Sequence, residues 1–309
     1  MNNLRIVFMG TPEFAVASLQ KLVENHMNVV AVVTAPDKPK GRGKKLGTSP
    51  VKDYALEVGI PVLQPTNLKS PEFQDELKSY KADLQVVVAF RMLPEAVWNM
   101  PPLGSFNLHG SLLPDYRGAA PINWAIINGE KETGVTTFKL KHEIDTGNIL
   151  LQHKEPIHYD DTVGSVYERL MLKGAELVVK SVKMIQSGHY ELKPQPEVSE
   201  DKHAPKIFRE DCEINWEQPS EIIRNFIRGL SPYPAAWTTL DNLTFKIYLA
   251  ELSPRTYNAP VGSFQSDGKT YLDVKTKDGA LALTDVQLQG KRRMSTEEFL
   301  RGYHWKDEH

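Results

Sequence analysis

Residues 4–34 read LRIVFMGTPEFAVASLQKLVENHMNVVAVVT, and this stretch decides the fold. Residues 4–9 form an unbroken apolar run of strand length, closed by Gly10. Thr11-Pro12-Glu13 is a helix start, with Thr11 placed to cap, Pro12 to take the first helical position and Glu13 to face the positive end. Val16, Leu19 and Val23 recur at helical spacing, and residues 28–34 form a second buried strand. Strand, helix, strand in that order implies a parallel sheet with a right-handed crossover. Further along, residues 84–90 (LQVVVAF) are the most apolar run and read as a central strand covered on both faces. Ser49-Pro50 and Ser70-Pro71 open two more helices, Pro94 opens a short one, and residues 161–186 are a long helical pattern ended by Gly188.

The pattern changes at residues 190–206, where Pro194, Pro196 and Pro205 stand among charged and small polar residues, as in an interdomain linker. After it come a helix over 220–228 and short strands with turn signals at Asp267-Gly268 and Asp278-Gly279. Ser295 to Glu298 is a capping box for a terminal helix. The expected architecture is therefore α/β: a Rossmann-like, mostly parallel sheet over 1–189, the linker 190–206, and a smaller β-barrel of oligonucleotide-binding (OB-like) type over 207–309.

With 309 residues, 40% of them hydrophobic and 25% charged, the chain can bury a large core. A formal net charge of -2 does not mark the whole molecule as a polyanion binder, so any nucleic-acid contact must come from a local patch. Cys212 is the single cysteine, which leaves neither a disulfide nor a Cys-rich zinc site and suggests plain packing. The residues before the first strand are too few for a signal-peptide core or a membrane span, so a cytoplasmic protein is expected, and nothing in the chain asks for an oligomer over a monomer.

The polar residues that could carry chemistry gather in two places. Residues 105–121 read SFNLHGSLLPDYRGAAP, a short strand that turns polar at its end. Alternation along a strand sends Asn107 and His109 to one face. A second cluster, Glu143-Ile144-Asp145-Thr146-Gly147, lies between two strand-like runs and could bring Asp145 to the same place. The first strand-turn-helix lacks the G-x-G-x-x-G pattern, which disfavours a dinucleotide cofactor, and the scattered histidines form no metal-ligand pair. A hydrolase triad of Ser111, His109 and Asp145 is disfavoured because Ser111 lacks the nucleophile-elbow flanks. What remains suits direct acyl transfer: an amine attacks a carbonyl, Asn107 and His109 stabilise the oxyanion, and Asp145 orients His109 and helps remove the ammonium proton. Strand-end capping by Asn107 and His109, with Asp145 in an Asx turn, fits the spacing equally well. The loop 35–45 carries Lys38, Lys40, Arg42, Lys44 and Lys45 against Asp37 alone; it reads either as a solvated loop or as a phosphate-contacting arm.

The chain resembles the methionyl-tRNA formyltransferase family along nearly its whole length, through RIVFMGTPEF (5–14), GRGKK (41–45), NLHGSLLPDYRGAAP (107–121), ETGV (132–135), DTG (145–147) and GKRRMS (290–295). The resemblance implies transfer of the formyl group of 10-formyltetrahydrofolate to the amino group of Met on initiator tRNA, with no metal needed for the chemistry. It assigns Asn107, His109 and Asp145 as the catalytic trio and Ser111, Leu112, Leu113 and Pro114 as the folate-binding segment. It makes Arg42, Lys44 and Lys45 the arm that approaches the tRNA, with Lys291, Arg292 and Arg293 as further candidates for tRNA contact. Formyl transfer to a small amine, such as a glycinamide nucleotide or an amino sugar nucleotide, needs neither arm nor barrel; an RNA-binding protein that has lost catalysis is the alternative of another class. The sequence departs from the family at Phe90 to Pro94, one residue short and without the Gly that usually follows the aromatic, and at Tyr233, where Trp is common.

Overall fold

The computed structural model describes residues 4–40, 45–196 and 202–304, with the side chains of Lys40 and Lys45 left aside. In chain order the first elements are β1 (Ile6–Gly10), α1 (Glu13–Glu24), β2 (Val29–Val33), β3 (Lys38–Lys40), β4 (Lys45–Gly47), α2 (Pro50–Glu57), β5 (Val62–Leu63) and α3 (Pro71–Ser79). They are followed by β6 (Leu84–Val88), α4 (Glu95–Trp98), β7 (Ser105–His109), β8 (Arg117–Gly118), α5 (Pro121–Ile127), β9 (Glu132–Lys139), β10 (Ile149–Pro156), α6 (Val163–Ser187) and β11 (His203–Ala204). The chain closes with α7 (Ser220–Leu230), β12 (Ala236–Leu240), β13 (Leu243–Leu252), β14 (Phe264–Ser266), β15 (Leu272–Lys275), β16 (Ala280–Leu288), β17 (Met294–Ser295) and α8 (Thr296–Arg301). Two compact units result, one of residues 1–118, 134–155 and 168–203, the other of residues 119–133, 156–167 and 204–309.

In the first unit a seven-stranded sheet runs β10-β9-β7-β6-β1-β2-β5. Strands β7, β6, β1, β2 and β5 are parallel, and β9 joins β7 antiparallel. The α/β expectation holds, and β6 is the central strand, buried at every position. Val7, Met9 and Val87 pack with Phe73, Leu77 and Val97 of α3 and α4 on one face. Across the other face lies α6, where Gly174 approaches Leu108 and the Ser181 hydroxyl is 2.7 Å from that of Thr137. Since Val87 pairs with Asn107, the latter belongs to the α3 and α4 face.

Several local signals work as read. Ser49 and Ser70 accept from the backbone N–H groups of Lys52 and Phe73, with Pro at the first helical position in each case. The first helix differs: Pro12, not Thr11, occupies the cap position, and no side chain caps it. Its buried stripe is Phe14, Ala15, Ser18, Leu19 and Leu22, one step round from the Val16 and Val23 face, with Ala15 set so closely against Gly10 that a Cβ on the glycine would stand 2.6 Å from that of Ala15. The basic arm is flanked by a two-stranded antiparallel hairpin, β3 with β4. Its one acidic residue, Asp37, is already engaged by Lys52 Nζ at 2.5 Å and Gln64 Nε2 at 2.7 Å.

The second unit carries an antiparallel sheet ordered β12-β13-β16-β15-β14, with β17 on β16, curled as a half-barrel. Phe245, Ile247, Val274, Leu281 and Val286 line its core together with Ile223, Ile227 and Leu230 of α7. Cys212 is buried in this core, as expected of a packing residue. Helix α5 lies on α7, with Asn123 Nδ2 donating to the Gly229 carbonyl at 2.8 Å and no room for a side chain at Gly229 beside Ile127. Ser295 caps α8 through the Glu298 N–H, but the Glu298 carboxylate pairs with Arg292, so only half of the capping box forms. No described helix is long and apolar enough to cross a membrane.

Candidate active site

The carboxyl end of β7 places Asn107 and His109 on one face, two residues apart. Open parallel sheets bind ligands at this end of their strands. His109 is 7% exposed, and its Nε2 donates to the Tyr116 carbonyl at 2.8 Å. A carbonyl only accepts, so Nε2 holds a proton and Nδ1 is left as the nitrogen that exchanges one. The Nδ1 atom lies 3.8 Å from Asp145 Oδ2, an ion-pair distance beyond direct hydrogen bonding. Asp145 has a left-handed backbone, with φ of 54°, and its Oδ2 accepts from the Gly118 N–H at 3.1 Å. The structure thus brings His109 and Asp145 together and sets Asn107 beside them. The Asn107 Oδ1 is buried and meets no donor among the described residues.

Ser111 is not part of a triad. It is fully buried, and its hydroxyl donates to the Asp115 carbonyl at 2.6 Å. Its own carbonyl accepts from Thr136 Oγ1 at 2.7 Å, and Thr136 Oγ1 in turn accepts from the Leu113 N–H at 3.1 Å. Leu113 packs with Phe138 and Ile149, while Leu112 lies against Gly134. The segment 111–114 is therefore a braced shelf, and a ligand on it would meet Leu112, Pro114 and backbone rather than the Ser111 hydroxyl.

Two glycines of the sequence motifs are explained by contact. A Cβ on Gly134 would stand 2.1 Å from the His153 carbonyl oxygen, and one on Gly147 only 1.6 Å from that of Lys139. At the shortened segment after β6, Ala89 takes the positive φ, 46°, and Arg91 donates to the Thr66 and Pro65 carbonyls. Leu93 is buried and Met92 exposed.

Arg42 and Lys44 lie outside the described residues, and only the backbone of Lys45 is described. In the second unit Lys291 is exposed, Arg292 pairs with Glu298, and Arg293 forks onto Asp285 at 2.5 Å over the Tyr248 ring. Those carboxylates offset part of the hairpin's positive charge. Tyr233 is 82% exposed.

Residues that the sequence did not single out complete the site: the Tyr116 carbonyl, the Gly118 N–H, Thr136, Arg117 and Gln195. The first two are backbone groups and carry no signature in residue type.

Lys139, at the end of β9, donates to the Leu103 carbonyl, and burial pulls its pKa down to about 8. The ordinary lysine value is 10.5, so between the two the unfolded chain binds more protons and stability rises with pH. In urea titrations across this window, Lys139→Met should remove that rise; an identical pH slope in the variant would show the lysine is not desolvated.

Residues 4–182 match the formyl transferase family and residues 206–304 the formyl transferase C-terminal domain. The methionyl-tRNA formyltransferase of Parabacteroides distasonis is 56% identical over 97% of this chain and 96% of its own length. The N-formyltransferase of Helicobacter canadensis, solved with folinic acid and dTDP-3-aminofucose, is 25% identical with a TM-score of 0.66 over 91% of this chain and 98% of that one. HypX from Aquifex aeolicus shares the fold at 20% identity and a TM-score of 0.66, with 97% of this chain covering 47% of that one. By sequence and by fold, the chain belongs to the formyl transferase family and, within it, to the methionyl-tRNA formyltransferases.

Proposed function

We propose that this protein transfers the formyl group of 10-formyltetrahydrofolate to the amino group of methionine carried by initiator tRNA, for translation initiation. The convergence of His109 and Asp145 beside Asn107, with no aligned side-chain nucleophile, carries this reading of the chemistry. The methionine nitrogen attacks the formyl carbon, and the carbonyl oxygen becomes an oxyanion that Asn107 and His109, through Nδ1–H of its protonated ring, stabilise. The bond from formyl carbon to folate nitrogen then breaks. One proton leaves the attacking amine to Asp145, and one proton goes to the departing folate nitrogen. Folinic acid bound to the Helicobacter canadensis relative supports a folate-type donor, and the names of the 50–56% identical relatives support the tRNA acceptor.

In this reading residues 1–189 carry the chemistry, with folate against 111–114, and residues 207–309 add tRNA contact beyond the linker 190–206. Arg42, Lys44 and Lys45 approach the acceptor end, while Lys291, Arg292 and Arg293 contribute from the second half. Incubation with 10-formyltetrahydrofolate and Met-charged initiator tRNA, with elongator Met-tRNA in parallel, should yield formylmethionine on the initiator. Failure with both, folate binding being intact, would redirect the assignment to a small amine acceptor. Arg42→Ala should raise KM for Met-tRNA about tenfold while leaving folate affinity unchanged, consistent with loss of one phosphate contact. Equal loss of folate affinity would overturn that division of roles.

A further inference from the structure

Gln195 sits in the Pro-rich stretch that reads as a linker, yet its side chain is bonded into the loop that carries Asp145. Its Nε2 donates to the carbonyls of Asp145 at 2.9 Å and Gly147 at 2.7 Å. Its Oε1 accepts from Arg117 Nε at 3.1 Å and Nη2 at 2.6 Å. Both amide protons and the amide oxygen are therefore used at once. Two residues upstream, Lys193 exchanges backbone hydrogen bonds with Ile149 at 2.7 and 3.0 Å, which fixes this segment beside the start of β10.

The loop it grips needs holding. Asp145 is a non-glycine residue in the left-handed region, a conformation that persists only where the surroundings determine it. Its carboxylate is held by the N–H of Gly118, the residue after Arg117. One short segment, 117–118, thus grips both ends of Asp145: Gly118 the carboxylate directly, Arg117 the backbone through Gln195. The chemistry of the grip is specific to glutamine. Glutamate would set acceptors against two carbonyls, and lysine would leave the Arg117 guanidinium without its acceptor.

We propose that Gln195, braced by Arg117, is a positioning residue that sets Asp145 against His109 for formyl transfer. The proposal rests on Asn107, His109 and Asp145 being the catalytic trio, so Asp145→Ala belongs in the same assay. Q195A and Q195E should each lower kcat by about 10–100-fold, the scale on which small misplacements act, with KM for both substrates within about twofold. Q195E is the sharper of the two, since it keeps the Arg117 partner and loses only the donors. In the Asp145→Ala background, Q195A should cost nothing further, because a residue acting through Asp145 is silent once Asp145 is gone. Wild-type kcat in Q195E, or a loss from Q195A that adds fully to that of Asp145→Ala, would overturn the proposal. A lowered melting temperature with kcat intact would do the same, reducing Gln195 to a structural tie. An Asp145→Ala enzyme with full activity would instead refute the trio itself.

Discussion

His109→Ala should lower kcat for formyl transfer by about 10³-fold or more, equivalent to about 4 kcal/mol of transition-state stabilisation. The ring stands where three functions meet. Nε2 is anchored on the Tyr116 carbonyl, Nδ1 faces Asp145, and the strand period sets the ring beside Asn107. Removing it takes away Nδ1, the one ring nitrogen not held by the Tyr116 carbonyl and the donor to the oxyanion in the protonated ring, and an Ala side chain offers no donor. Because His109 is buried, the same change also removes its Nε2–H bond to the Tyr116 carbonyl, at a cost of about 1–3 kcal/mol in stability. The two effects can be separated with His109→Gln, whose amide can still donate toward that carbonyl. It should recover most of the lost stability and little of the rate, read by thermal melts and by single-turnover formylation of Met-tRNA. A His109→Ala enzyme within tenfold of the wild-type rate would remove His109 from the chemistry.

The second large effect is expected at a residue with no chemistry of its own. Gly147→Ala should destabilise the protein by about 3 kcal/mol or more and lower kcat/KM by at least about 10²-fold. A Cβ there would fall 1.6 Å from the Lys139 carbonyl oxygen, 2.8 Å from the Lys139 carbonyl carbon and 3.2 Å from Phe138 Cδ2. None of these is the end of a flexible side chain that could swing away, and Lys139 is tied to the loop's far side by its N–H to the Asn148 carbonyl. The loop would have to open, taking with it the Gly147 carbonyl that Gln195 holds and the left-handed turn at Asp145. Gly188→Ala is the comparison: its φ is 70°, but nothing stands within 4 Å of a Cβ there. It should cost only about 1 kcal/mol, the conformational term alone, with no change in rate. Equal urea midpoints for the two variants would show that the contact at Gly147 is relieved at no cost.

How much of this was legible before the structure follows from the range of each interaction. The parallel sheet, the central strand 84–88 and the caps at Ser49 and Ser70 rest on periodicity and on groups within four residues of each other, and such signals survive in a linear sequence. So does the pairing of Asn107 with His109, because a strand's period of two requires it. The first helix shows where this stops: its spacing is helical, but the stripe that faces inward is the one whose Ala15 meets Gly10 at the end of β1, a contact between side chains too small to register in a hydrophobic pattern.

The rest of the site arises from encounters between distant segments. Asp145 reaches His109 across 36 positions, and Gln195 reaches Asp145 across 50. The partners that fix the site are largely backbone atoms, the carbonyls of Tyr116, Asp145 and Gly147 and the N–H of Gly118, and every residue type supplies those alike. Gln195 is a polar residue between two prolines, indistinguishable in sequence from a solvated linker position. The sequence by itself determined which side chains were available for acyl transfer and that two of them shared a strand face. The tertiary structure alone decided which nitrogen of His109 exchanges a proton and what holds Asp145 against it, because both depend on which backbone groups folding brings within 3 Å or so of those side chains.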